Sequence, residues 1–166
     1  MKKQSSIPHQ LTQQVKFLHK AALRVEEKVL ILKRAPEAKF RPNKWDLPGG
    51  NCEWPDQLKE PTLNPHQADV AREIFEETGV TVSSDQFDDN NLVYFASYFE
   101  PDKQLYSVNC GWQVLNLPES TLKQIKLSPE HTAFAWITLD ELGQYDFGGP
   151  DRNYETKIIR RVLERG

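Results

Sequence analysis

Residues 69–79 read Asp-Val-Ala-Arg-Glu-Ile-Phe-Glu-Glu-Thr-Gly. On a wheel of about 100° per residue, Ala68, Val70, Ala71, Ile74, Phe75 and Thr78 fall within one half. Asp69, Glu73, Glu76 and Glu77 gather in an arc of roughly 100°. The spacing predicts an amphipathic helix that packs its apolar half on a sheet and presents its acids as one carboxylate surface. Asn64 is a suitable N-cap, Pro65 suits N1, and Asn64 with Gln67 resembles a capping box. Gly79 is the expected residue just past the helix end.

The acidic arc is unusual for a solvated face. Such faces mix signs, with Glu followed by Lys at i+4. Here Asp69, Glu73 and Glu77 repeat at i, i+4, each like-charged pair costing a few tenths of a kcal/mol. Glu76 and Glu77 also stand in the last turn, where the helix dipole disfavours anions. Upstream, Gly49-Gly50 can bring a backbone carbonyl to the same surface. Such a patch implies a cation, and hard oxygen donors suit Mg²⁺ or Mn²⁺ rather than zinc.

Outward from this helix, Val15–Val25 and Val29–Lys33 read as strands joined by a turn at Glu26-Glu27-Lys28, a plausible hairpin. Trp45–Pro48 is a short extended piece stopped by the glycines. Val80–Val82, Leu92–Phe99, Leu105–Leu115 and Ala133–Ile137 read as further strands. Pro118–Ile125 is expected as a short helix and Leu139–Leu142 as a helical turn. Asn153–Arg165 carries Ile158, Ile159, Val162 and Leu163 at helical spacing, which predicts a terminal amphipathic helix. Strands around one strong helix, with a second helix at the end, imply an α+β fold: an α/β/α sandwich with a mixed sheet between helices.

The 166 residues suit one domain, 1–166, with 1–13 as a loose polar arm. A hydrophobic fraction of 38% supports a core. A net charge of −3 with interspersed signs argues against a protein that coats nucleic acid polymers, though not against a phosphorylated small molecule. Cys52 and Cys110 lack metal-knuckle spacing and are expected as free thiols. No secretory signal or membrane-spanning run is evident, so a cytoplasmic protein is expected. The oligomeric state is not legible, and a homodimer is the simplest assembly open to it.

Arg72-Glu-Ile-Phe-Glu-Glu-Thr-Gly-Val80 matches the second half of the Nudix box, R-E-U-x-E-E-x-G-U, at every defined position. Leu47-Pro-Gly-Gly50 followed by Glu53 resembles its opening. Trp45-Asp46 and the strand ending in Arg34 are also family-like. The chain thus resembles the Nudix hydrolases. It departs from them in the 21 residues between Gly50 and Arg72, an insertion over the usual spacing. The family's middle glutamate then falls on Asn64, and Glu60 is the substitute to consider.

The resemblance implies that Glu76 and Glu77 ligate a metal, that Glu73 is a third ligand or the base that activates water, and that the Gly49 carbonyl completes the shell. Arg72 is expected to hold the glutamates by charge-assisted bonds. Glu130, in the loop before the last strand, is the candidate for an additional catalytic acid or base. Arg34, Arg41 and Lys44 are candidate contacts to phosphates or a base. Trp45, Phe40 and Trp54 are candidates both for stacking on a base and for the core. Cys52 and His131 are read as non-catalytic.

The implied reaction is attack of water on phosphorus in a nucleotide substrate, with metal neutralising the diphosphate. A nucleoside triphosphate pyrophosphohydrolase, MutT-like, is the leading expectation, and ADP-ribose or another nucleotide sugar is the alternative substrate. A non-catalytic nucleotide-binding module on the same fold is the competing class. Such relatives usually lose box glutamates, whereas this chain keeps the three on the helix.

Overall fold

The computed structural model describes residues 14–53, 60–149 and 153–165. The expected arm over 1–13 and Trp54 lie outside them. Among the described residues stand six strands and two α-helices: β1 (Val15–Val25), β2 (Lys28–Arg34), β3 (Trp45–Asp46), α1 (His66–Thr78), β4 (Leu92–Glu100), β5 (Leu105–Val114), β6 (His131–Ile137) and α2 (Tyr154–Leu163). Short 3₁₀ turns fill the connections. This is the α+β architecture expected from the sequence.

The sheet runs β3-β2-β1-β5-β4, with β6 on the other edge of β2. It is mixed, because β1 and β5 are parallel while the remaining pairs are antiparallel. The β1–β2 hairpin turns through Glu26, whose φ is 51°, and its ladder extends only to Arg24↔Val29. Beyond that point the two strands part, and residues 45–52 enter the gap. Leu32 and Lys33 of β2 pair with β3 on one side. On the other side the Ala21, His19 and Cys52 N–H groups bond to Pro48, Gly50 and Phe17 carbonyls at 2.8–2.9 Å. The Gly49-Gly50 segment is therefore held by the sheet itself.

Alternation along the strands divides the core into two layers. Ala21, Leu23, Leu30, Leu32, Cys110 and Trp112 face α1 through Val70 and Ile74. Ala22, Val29, Ile31 and Ile137 face α2 through Ile158, Ile159 and Val162. The α2 layer is closely packed at Gly111, where an added Cβ would stand 2.4 Å from Ile158 Cγ1.

Several local expectations need correction. The helix begins at His66, with Pro65 at the N-cap and no side-chain cap bond. Asn64 adopts φ 52°, and the Gln67 side chain turns to the Phe87 carbonyl, so no capping box forms. Val80–Val82 is not a strand. Val80 and Val82 plug the α1 layer instead, so their apolar character reflects burial rather than pairing. The short helix expected at 118–125 is a 3₁₀ turn, Glu119–Lys123, and the helical turn expected at 139–142 lies at Leu142–Gln144. Gly79 ends α1 as expected, with φ 72° and its N–H on the Phe75 carbonyl. Among the described residues no helix is long and apolar enough to cross a membrane.

Candidate active site

The four acids of α1 do not form one exposed surface. The buried stripe of the helix is Val70, Ile74, Glu77 and Thr78. Phe75, placed in the apolar half by the wheel, is 55% exposed, while Glu77 is only 9% exposed. The helix has rotated by part of a turn relative to its hydrophobic pattern. The reason lies across the interface: the Gly49 N–H donates to Glu77 Oε2 at 2.7 Å. A carboxylate that accepts from the glycine loop is anchored in the sheet-facing stripe.

Asp69, Glu73 and Glu76 converge on Arg72 at 2.5, 2.8 and 2.8 Å, and Glu53 approaches it at 3.9 Å. One guanidinium thus relieves the like-charge repulsion read from the spacing. Glu60 is exposed and is not among Arg72's partners within the described residues.

The glycines allow the close approach. Gly49 has φ 119°, and a Cβ there would lie 2.3 Å from the His19 carbonyl oxygen. A Cβ at Gly50 would lie 2.8 Å from Glu73 Oε2. The Gly49 contact is with fixed backbone and leaves no room for a side chain, whereas the Glu73 carboxylate could swing away from one at Gly50.

Below the loop stands a group the sequence reading missed. Lys20 Nζ, buried in β1, donates to Asp46 Oδ2 at 2.9 Å, the Leu47 carbonyl at 3.1 Å and the Gly49 carbonyl at 2.8 Å. Asp46 also receives Arg34 at 3.3 Å and Arg41 at 2.9 Å. Arg41 continues to Glu155 of α2 at 2.5 Å. The neighbouring cations hold the Asp46 carboxyl below its ordinary range against the opposing effect of its burial. The available signal was a lysine directly before the apolar run Ala21–Leu23 of β1.

This network changes the place of the basic residues expected at the substrate. Arg34 also bonds the Phe40 carbonyl, and Arg41 the Phe147 carbonyl, so both guanidinium groups serve the Asp46 cluster. Lys44 pairs with Asp146 and is 38% exposed. Trp45 packs edge-on against Tyr145 in the α2 layer, while Phe40 is 67% exposed beneath Lys39. Glu130 is exposed in the turn before β6, and its carbonyl accepts from the Ala35 N–H at 2.8 Å. Its neighbour His131 lies nearer the helix acids, with Nε2 at 3.9 Å from Glu77 Oε1.

Burial pushes the Glu77 carboxyl up to about 7, with Lys20 and the Gly49 N–H opposing the rise. It raises Glu73 as well, against the attraction of Arg72. Both free thiols are held protonated by burial, Cys52 up to about 12 and Cys110 up to about 11, which leaves neither as a ready nucleophile.

The oxygen donors fit a hard divalent cation in kind. A buried carboxylate accepts from the Gly49 N–H, and a second carboxylate overhangs Gly50. Among the described residues, no three His, Cys, Asp or Glu side chains are already grouped to hold an ion. Three of the helix acids stand on Arg72 and the fourth on Gly49.

Comparison with known proteins decides the family, because the NUDIX domain model matches residues 20–158. The chain belongs to the Nudix family. This Nudix hydrolase shares its fold with a MutT protein from Methanosarcina mazei (TM-score 0.58, 23% identity, covering 94% of this chain and 98% of that one). It also resembles a MutT NUDIX hydrolase from Burkholderia pseudomallei (TM-score 0.61, 21% identity, 90% and 99% covered). A third likeness is to an ADP-ribose pyrophosphatase from Streptococcus suis (TM-score 0.52, 20% identity, 90% of each chain covered). Among curated proteins, none matches the sequence.

One pH effect follows from the residues beside the loop. Trp112 Nε1 donates to His19 Nδ1 at 2.8 Å, so that nitrogen carries a lone pair and the ring is neutral. Burial, reinforced by His66, lowers His19 from 6.5 to about 4. Between these values the unfolded chain takes up a proton that the folded chain refuses. Stability therefore falls as pH drops through that window, by on the order of 3 kcal/mol in full. Urea unfolding at pH 7 and pH 4.5 should show a smaller loss in His19→Gln than in the parent Nudix hydrolase. Equal losses would reject this account of the imidazole.

Proposed function

We propose that this Nudix hydrolase cleaves a phosphoanhydride in a nucleoside-diphosphate-linked substrate, using Mg²⁺ or Mn²⁺. Nucleoside triphosphates are the leading substrate class, and ADP-ribose or another nucleotide sugar is the alternative. The observation that carries the proposal is the contact of Glu77 with the Gly49 N–H, which joins the acidic helix to the glycine loop.

Glu76, Glu77 and Glu73, with the Gly49 carbonyl, are the residues that would hold the ion. When bound, a divalent ion neutralises diphosphate charge and makes water a better nucleophile. Lys20 takes one lone pair of the Gly49 carbonyl and leaves the other for a ligand. Arg72 fixes the acids around it, so little ordering remains to be done when substrate arrives.

Water oxygen attacks phosphorus, its proton passes to a carboxylate, and the bridging P–O bond breaks with its electron pair on the leaving phosphate. Where Glu73 is not the third ligand, it is our first choice for the accepting group, because burial raises its proton affinity. Glu130 is the second. Lys44 is exposed enough to reach a phosphate, whereas Arg34 and Arg41 act through Asp46.

The test is release of phosphate or pyrophosphate across nucleoside triphosphates, ADP-ribose and nucleotide sugars, with Mg²⁺ and with chelator added. At least one substrate should turn over, and chelator should abolish its turnover. Inactivity on the whole panel would favour a binding module.

A further inference from the structure

β4 is the last strand on the sheet path, and among the described residues no strand pairs with its outer edge. Such an edge presents a row of N–H and C=O groups that a further strand can take. Proteins that keep an edge to themselves blunt it with lysine, proline or a very short strand. β4 has nine residues, and positions 94–99 hold neither a charge nor a proline. The ladder with β5 slips at Val93, whose carbonyl accepts from Arg161 Nη1 at 2.6 Å. The regular stretch is therefore 94–100.

The surface beside this edge is apolar. Phe95 is 61% exposed, Phe99 47% and Tyr106 of β5 37%. They share the α1 side of the sheet, since Phe95 pairs with Cys110 of the α1 layer and Phe99 with Tyr106, four residues from Cys110 along β5. Half-exposed Val15 pairs with Tyr106 and extends the patch onto β1. The helix α1 packs further along the strands, over Ala21, Leu23 and Trp112. On the opposite side Tyr98 is 39% exposed.

At roughly 200 Å² per ring, these four aromatic residues expose on the order of 370 Å². Specific interfaces are about 60% apolar, so a contact centred here covers roughly 600 Å² on each partner. A total of roughly 1,200 Å² is the lower bound for stable association. An interface of that size suits a reversible dimer rather than a permanent one.

The strand is also complementary to itself. With two copies of β4 antiparallel and Ser97 opposite Ser97, Phe95 of each copy faces Phe99 of the other, a pair of aromatic cross-strand contacts. On the other side Tyr98 faces Ala96, a large residue against a small one. At each end Glu100 faces Tyr94, over whose ring Arg161 stands at 5.4 Å, so an acid meets a cation. Centring the pair on Ala96 or on Tyr98 instead sets Ser97 against a phenylalanine. The second phenylalanine then faces Val93 or Pro101. Antiparallel pairing of one strand with its own copy is isologous and closes at two chains.

We propose that this protein forms a reversible two-fold dimer through the β4 edge, joining two sheets into one with Ser97 at the axis.

The experiment is sedimentation equilibrium of the intact chain, from the nanomolar to the high micromolar range. Monomer and dimer should exchange within it. Ser97→Lys and Ser97→Glu should each weaken the dimer tenfold or more, because each sets two like charges face to face. An equimolar mixture of the two variants should recover the dimer, since lysine then meets glutamate. Phe95→Ser, which removes both aromatic pairs, should weaken it by a similar factor. Ser97 and Phe95 are exposed, so the monomer fold should survive, and near-UV circular dichroism checks it. If the Ser97 variants fail that check, Phe95→Ser decides. A parent chain that stays monomeric throughout overturns the proposal. So does a dimer indifferent to these substitutions, or a mixture of the charged variants that recovers nothing.

Discussion

Glu77→Gln should reduce kcat/KM by on the order of 10³-fold or more while leaving the fold in place. The glutamine keeps an oxygen able to accept from the Gly49 N–H, so the loop contact survives. The ionised ligand is lost. Stability should respond in a particular way. Burial holds the Glu77 carboxyl up at about 7, so the folded chain retains a proton that the unfolded chain releases above about 4.5. The folded state is thus progressively disfavoured as pH rises through that window. Without divalent ions, the variant should lose less stability than the parent between pH 4.5 and pH 8. Thermal melting at the two pH values, alongside metal-dependent turnover, measures both effects. Parental turnover would reject Glu77 as a ligand. An identical pH slope would reject the buried-carboxylate account.

Asp46→Ala should be among the most destabilising single changes in the chain. Asp46 is 1% exposed and meets Lys20, Arg34 and Arg41 at 2.9–3.3 Å. Removing it leaves three cations facing one another around a buried space, with Glu155 on the far side of Arg41. Loss of one partner from a buried ion pair costs about 3–5 kcal/mol. For a chain of this size that corresponds to a fall in Tm of roughly 10 °C. Activity should fall further than stability explains, because Lys20 would lose the anion that steadies it against the Leu47 and Gly49 carbonyls. Asp46→Asn, which keeps the shape and one acceptor, should lie between. A denaturation midpoint within about 1 kcal/mol of the parent would show that the cations relax into solvent at little cost.

Both predictions involve side chains whose surroundings lie far away in the sequence, and this marks the limit of reading it alone. Local periodicity was enough to identify α1, its glycine stop, the long strands and α2. Hydrophobic spacing and termination act within a few residues of one another, so the pattern is written locally. The Arg-Glu and Glu-Glu pairs and the double glycine are equally local, and the family could be read from them. The rotation of α1 could not. A wheel weighs each side chain by its own polarity, and Glu77 counts there as exposed. It is buried because a backbone N–H, 28 positions upstream, needs an acceptor. Val80 and Val82 show the reverse error: branched apolar residues next to a helix suggested a strand, but tertiary packing uses them as a plug.

The chain order alone thus determined the family and pointed to the candidate site residues of the helix and the glycine loop. Tertiary structure decided how those residues divide: Glu77 on the loop, three acids on Arg72, and Arg34 and Arg41 on Asp46. The physical reason is that burial and charge compensation depend on partners in space. The splaying of β1 from β2, which admits the glycine loop, brings those partners together only once the sheet has formed.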